Sequence, residues 1–129
     1  MLKILMEMGH SDQIVIADGN FPATSHAQRL VRLDGQMIPQ VLQSILQLFP
    51  LDTYVDTPVT YMATPQDEPA PEIWTVYKKI FQQSKEKNIQ SQMVDRFEFY
   101  EQAKKAYAII ATNESALYAN IILQKGVIT

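Results

Sequence analysis

The chain has 129 residues, 47% of them apolar and 19% charged, which suits one compact domain over residues 1–129 and leaves too little core for two. It has no cysteine, so disulfide frameworks, thiol nucleophiles, iron–sulfur ligation and thiolate zinc sites are excluded together, and the cytoplasm is the default expectation. Eleven Lys and Arg against fourteen Asp and Glu give a net charge of -3, which argues against nucleic acid as the partner. The charge is uneven: residues 1–72 carry three basic and nine acidic side chains, and residues 73–129 carry eight basic and five acidic. Lys78, Lys79, Lys85 and Lys87 fall on an amphipathic pattern and read as a solvated helix face. No apolar run approaches the roughly 18 to 20 residues that span a bilayer, so no membrane association is expected.

In chain order, apolar residues at 2, 4, 5, 6 and 8 suit the last turns of a buried helix that Gly9 ends. Residues 13–17 form a short, partly β-branched run, as in a sheet covered on both faces, so Asp18 falls at the carboxyl end of a strand. In open α/β sheets that end is where ligands bind. Residues 29–33 alternate as a half-exposed strand would, with Asp34-Gly35 as the turn. Ile38, Val41, Leu42, Ile45, Leu46 and Phe49 then mark a helix, with Pro39 in its first turn and Pro50 beyond its end.

Residues 53–62 read as one irregular strand or two short ones broken by Pro58, and residues 64–71 as an extended loop or lid. Residues 72–86 form the second clear helix, with Ile73, Val76, Tyr77 and Ile80 on one face in ordinary packing. Asp95 caps a third helix over residues 96–105. Residues 107–111 have buried-strand character, and residues 118–123 close the chain as another strand. Interleaved helices and strands predict a single-domain, three-layer α/β fold, a mixed sheet with helices on both faces.

Near-neutral acid/base chemistry has only two histidines to draw on, His10 and His26. His10 follows a helix end and precedes a strand, an uncommon place for a core-filling histidine. No pair of histidines has metal-ligand spacing, and four glycines cannot build a glycine-rich phosphate cradle. Asp18 reads as a strand-end cap or a ligand carboxylate, and Arg96 as a surface partner of Asp95 or a ligand clamp. Tyr118 and Asn120, at i and i+2 of a strand, would share a face and could meet a polyol together.

The run Glu7-Met8-Gly9-His10-Ser11-Asp12, followed by Ile14-Val15-Ile16-Ala17-Asp18-Gly19-Asn20-Phe21-Pro22, resembles the opening signature of the RbsD/FucU family of sugar mutarotases. The similarity continues through Asp95-Arg96-Phe97-Glu98-Phe99-Tyr100, Thr112-Asn113-Glu114 and Tyr118-Ala119-Asn120-Ile121-Ile122-Leu123-Gln124-Lys125-Gly126-Val127. It implies an RbsD-like fold, no cofactor and no metal, and a homo-oligomeric ring, typically a decamer of stacked pentamers, with sugar sites near subunit contacts. Arg96-Phe97-Glu98-Phe99-Tyr100 stands where the D-ribose branch typically carries a histidine-containing segment, so the resemblance points to the L-fucose branch and to interconversion of the α and β anomers of L-fucopyranose. D-ribose pyranase activity, or a non-catalytic sugar-binding accessory role, is the alternative.

Carried over residue by residue, His10 matches the family's proton donor, Asp18 a sugar-binding carboxylate, Arg96 a sugar-binding guanidinium, and Tyr118, Ala119 and Asn120 the binding segment, with Tyr118 also a candidate proton relay. The chain departs from the family pattern in a shorter amino terminus, in Gly19 where alanine is expected, and in Asn113 and Ala119 where glycine is common.

Overall fold

The computed structural model describes residues 1–86 and 88–128; the expected lysine at position 87, on the solvated face, lies outside them, as does Thr129. The elements are α1 (Leu2–Glu7), β1 (Gln13–Ala17), α2 (Ala23–His26), β2 (Leu30–Leu33), α3 (Ile38–Leu48), β3 (Val59–Met62), α4 (Glu72–Gln82), β4 (Ser91–Val94), α5 (Arg96–Lys105), β5 (Ala108–Thr112) and β6 (Ile121–Gln124). The strands form one sheet in the order β2-β5-β1-β6-β3-β4. β6 is antiparallel to both neighbours, β1 and β3, while β2, β5 and β1 run parallel, as do β3 and β4.

Side-chain alternation along β1 divides the core between the two faces. Ile14 and Ile16 join Leu5 of α1, Ile38, Leu42 and Ile45 of α3 and Tyr77 of α4, whereas Val15 and Ala17 join Ala23 of α2 and Phe99 and Ala103 of α5. Helices therefore cover both faces, and the expected three-layer mixed α/β fold is the one observed. Asp95 caps α5 as expected, its carboxylate accepting the Glu98 N–H at 2.9 Å. Pro39 stands at the start of α3, where its missing N–H costs nothing.

The structure corrects several expectations. The residue 72–86 helix ends at Gln82, and Val76 on its expected apolar face is 42% exposed. Of residues 53–62 only Val59–Met62 forms a strand, because Pro58 cannot donate to the ladder. The last strand begins at Ile121, so Tyr118 and Asn120 are not alternate residues of it; Tyr118 has φ +56°, outside any strand geometry. Two elements went unanticipated: the single turn α2 and the edge strand β4, whose mostly exposed residues carry no apolar alternation.

Candidate active site

The parallel arrangement gathers the carboxyl ends of β1, β5 and β4 at one sheet edge, together with the amino end of the antiparallel β6. Asp18 leaves β1 there, Glu114 follows β5, Arg96 follows β4, and residues 118–120 lead into β6. The Asp18 N–H donates to Asn120 Oδ1 at 2.7 Å, and Asp18 Oδ1 accepts the Asn20 N–H at 3.0 Å. Asp18 is 5% exposed. Burial raises its carboxyl above the ordinary value; the backbone N–H groups of Asn20, Ala119 and Phe21 oppose the shift, and the Glu114 charge adds to it.

Glu114 is itself buried and fastens this edge. Its carboxylate accepts the Ile38 N–H at the start of α3 and the Ala116 N–H, both at 3.2 Å, and its carbonyl accepts the Gly19 N–H at 2.8 Å. Asn113 accepts from the N–H of Gly35, whose φ of +84° suits glycine, so the asparagine ties the β2–α3 turn to β5.

Residues 118–120 are held from α4. Trp74 Nε1–H donates to the Tyr118 carbonyl at 2.9 Å, and the Tyr77 hydroxyl donates to the Ala119 carbonyl at 2.7 Å. The Tyr118 ring is half-buried against the cluster that includes Phe21 and Phe99. The structure thus brings Asp18, Ala119 and Asn120 into direct contact. Arg96 shares the edge at the first turn of α5, its guanidinium 4.8 Å from the centre of the exposed Phe97 ring. It lies three strands from β1, about 14 Å by strand spacing.

His10 is elsewhere. It precedes β1 whereas Asp18 follows it, so roughly 17 Å of strand separates the two residues in one chain. At that opposite edge, His10 Nε2 lies 3.2 Å from Asp52 Oδ1 and its ring is 5.3 Å from that of Tyr54. Asp52 is buried and also accepts the Tyr54 N–H and the Gln124 amide, each at 2.9 Å. Burial disfavours its charge, but the Tyr54 N–H, the Gln124 amide and His10 outweigh it and hold the carboxyl below its ordinary value. The buried Lys125 closes this edge, donating to the carbonyls of Leu5, in the last turn of α1, and Met8, its C-cap, at 3.2 and 2.6 Å.

His26 sits on α2 with its ring 5.3 Å from Tyr100 and 6.1 Å from Phe21, and its Nδ1 bonded to Ser25 Oγ. Sequence reasoning missed Asp52, Glu114, Trp74 and Tyr77. Only Glu114 offered a signal, as an acid two residues after a buried strand. A cavity of about 510 Å³, lined by Tyr61, Trp74, Lys78 and Gln90 among others, lies by α4 and away from Asp18. Among the described residues, no group of three His, Asp or Glu side chains is placed to hold a metal ion, and no helix is long and apolar enough to cross a membrane.

Known proteins match along almost the whole chain. The human fucose mutarotase is 46% identical over 135 aligned residues, covering 99% of this chain and 87% of the human one. The crystal structure of the Streptococcus pneumoniae fucose mutarotase in complex with L-fucose superposes with a TM-score of 0.95 at 48% identity, covering 99% of this chain and 91% of that one. FucU from Bifidobacterium longum superposes at 0.94 with 51% identity, covering 99% and 94%. The model of the RbsD / FucU transport protein family matches residues 1–128, and the chain belongs to that family.

Proposed function

We propose that the protein is an L-fucose mutarotase, a cofactor-independent isomerase that interconverts the α and β anomers of L-fucopyranose. The observation that carries this reading is the buried, hydrogen-bonded Asp18–Asn120 pair at the sheet edge, in a chain 48% identical to a mutarotase crystallised with L-fucose. Mutarotation needs a proton delivered to the ring oxygen while the anomeric hydroxyl gives one up. The C1–O5 bond then breaks to the open aldehyde, which rotates and closes on its other face.

His10 serves as the proton donor, with a ring 44% exposed and so open to a ligand. Asp18 and Asn120 hold sugar hydroxyls, Arg96 donates from its planar fork, and Tyr118 supplies an apolar face and a phenol that relays the second proton. The Ala119 backbone completes the binding segment. Because one chain holds His10 and Asp18 at opposite ends of β1, the working site forms between copies, a neighbouring copy supplying His10. Exposed apolar side chains at both edges support such packing: Phe97 and Leu117 at the edge that holds Asp18, and Tyr54 beside His10, at 67%, 65% and 76% exposure. A decameric ring in the cytoplasm fits this arrangement.

Exchange NMR of the anomeric protons of L-fucose and D-ribose, with wild-type protein and with His10→Ala, tests the reading. Fucose exchange accelerated by the wild type and lost in the variant is the expected result. Acceleration of ribose between pyranose and furanose forms would move the protein to the sister activity. Binding without acceleration of either sugar would leave only an accessory role.

A further inference from the structure

The segment that presents Tyr118, Ala119 and Asn120 is not held by its own conformational preference. Tyr118 has φ +56°, a left-handed conformation that is unfavourable for a bulky residue and persists only where surrounding structure imposes it. Two side chains of α4 supply that constraint. The Trp74 indole N–H donates to the Tyr118 carbonyl and the Tyr77 hydroxyl to the Ala119 carbonyl, at 2.9 and 2.7 Å. The next residue, Asn120, then turns its side chain to the Asp18 N–H.

The donors are themselves braced. Tyr61 of β3 stacks on Trp74 with ring centres 4.7 Å apart and planes 16° apart, and on Tyr77 at 6.2 Å and 10°. Tyr77 is fully buried, and that burial pushes its hydroxyl well above the ordinary value, so it stays a donor at any working pH. The arrangement is a rigid aromatic stack with two hydrogen-bond donors aimed at consecutive carbonyls of the sugar-facing segment.

We propose that Trp74 and Tyr77 are positioning residues for the sugar site, setting substrate affinity by holding residues 118–120 in the strained conformation that faces Asp18. Neither reaches the sugar; both act through the backbone they hold. The inference rests on the mutarotase reading for its kinetic consequence, but the geometry it asserts can be read without turnover. Trp74 is the single tryptophan of the chain, so its emission reports the state of this contact directly.

The test uses Trp74→Phe, which keeps an aromatic ring for Tyr61 and removes the indole N–H, and Tyr77→Phe, which removes only a hydroxyl. Lys79→Ala, exposed on the same helix, is the control. Losing one such hydrogen bond predicts a KM for L-fucose raised about three- to ten-fold, with kcat lowered by a smaller factor than KM is raised in each variant, because of the reacting groups only the Tyr118 relay rides on the held segment. Amide hydrogen exchange over residues 116–120 speeds up in both variants, with or without sugar, and is unchanged in the control. In the wild type, L-fucose shifts the Trp74 emission, and Asp18→Asn abolishes the shift.

Unchanged KM together with unchanged exchange at 116–120 would overturn the proposal. So would a parallel fall of kcat and assembly, measured by sedimentation, without a change in KM, since that is what a purely structural role produces. If Trp74→Phe does not fold, Tyr77→Phe decides by the same criteria. A wild type that accelerates neither sugar would fail the mutarotase reading alone, and the hydrogen-exchange comparison would still decide the positioning.

Discussion

Asp18 and Asp52 are 5% and 2% exposed, yet the two ends of the sheet treat them in opposite ways. At Asp18 burial prevails and the carboxyl is pushed above its ordinary value; at Asp52 hydrogen bonds prevail and hold it below. Asp52 spends its lone pairs on its own chain, bonding Tyr54, Gln124 and His10. Asp18 has backbone N–H neighbours and a second buried acid, Glu114, but no side-chain cation bonded to it among the described residues. The partners of the Asp18 carboxylate are backbone N–H groups alone, and a carboxylate has about four acceptor sites, so a ligand's hydroxyl can still bond to it. The contrast separates a carboxylate bonded to backbone N–H groups alone from one bonded to the side chains of a histidine and a glutamine.

Disabling the two edges separately has the largest expected effect. His10→Ala should lower anomer exchange by about 10² to 10⁴-fold, the usual range for a positioned acid/base group, with the fold intact by circular dichroism. If the two edges meet only between copies, co-assembly of His10→Ala with Asp18→Asn restores part of the activity that each variant lacks. No recovery would mean that one chain brings the two groups together.

Lys125→Met tests whether the His10 edge depends on the buried ammonium. Its loss frees two carbonyls at the end of α1 and should cost about 1.5–3 kcal/mol in urea unfolding, the range for hydrogen bonds to charged groups. Asp52→Ala strips an acceptor from three donors at once. It should cost about 1–3 kcal/mol and lower kcat more than it raises KM, because His10 loses its orientation.

The smallest effect is the pH dependence, in which the two acids have opposite signs. Asp52, lowered in the folded state, contributes stability that is present above the ordinary value of 3.8 and is lost as pH falls through its lower folded value. Asp18, raised in the folded state, binds its proton more tightly when folded. Stability falls as pH climbs from 3.8 through the higher folded value, and the ionised form is a standing cost at neutral pH. Asp18→Asn should therefore raise the neutral-pH melting temperature slightly while weakening sugar binding. A drop in melting temperature would show that the carboxylate stabilises its own edge.

Much of this was legible beforehand. β1 and α5 fall at the expected positions because a five-residue apolar run and an Asp cap act through near neighbours. β4 was not legible: its residues are mostly exposed at a sheet edge, so no burial pattern selects them. The Tyr118 turn was invisible for a different reason, its conformation being imposed by Trp74, a residue 44 positions away.

Residue order is enough to specify the layers and the family, because hydrophobic period and capping are local and the signature residues are ordered along the chain. The folded chain alone reveals which acid is bonded to side chains, what holds residues 118–120, and that His10 and Asp18 face apart. Those properties depend on contacts between residues distant in the chain, such as Asp52 with Gln124 and Asp18 with Asn120, and no local pattern encodes them.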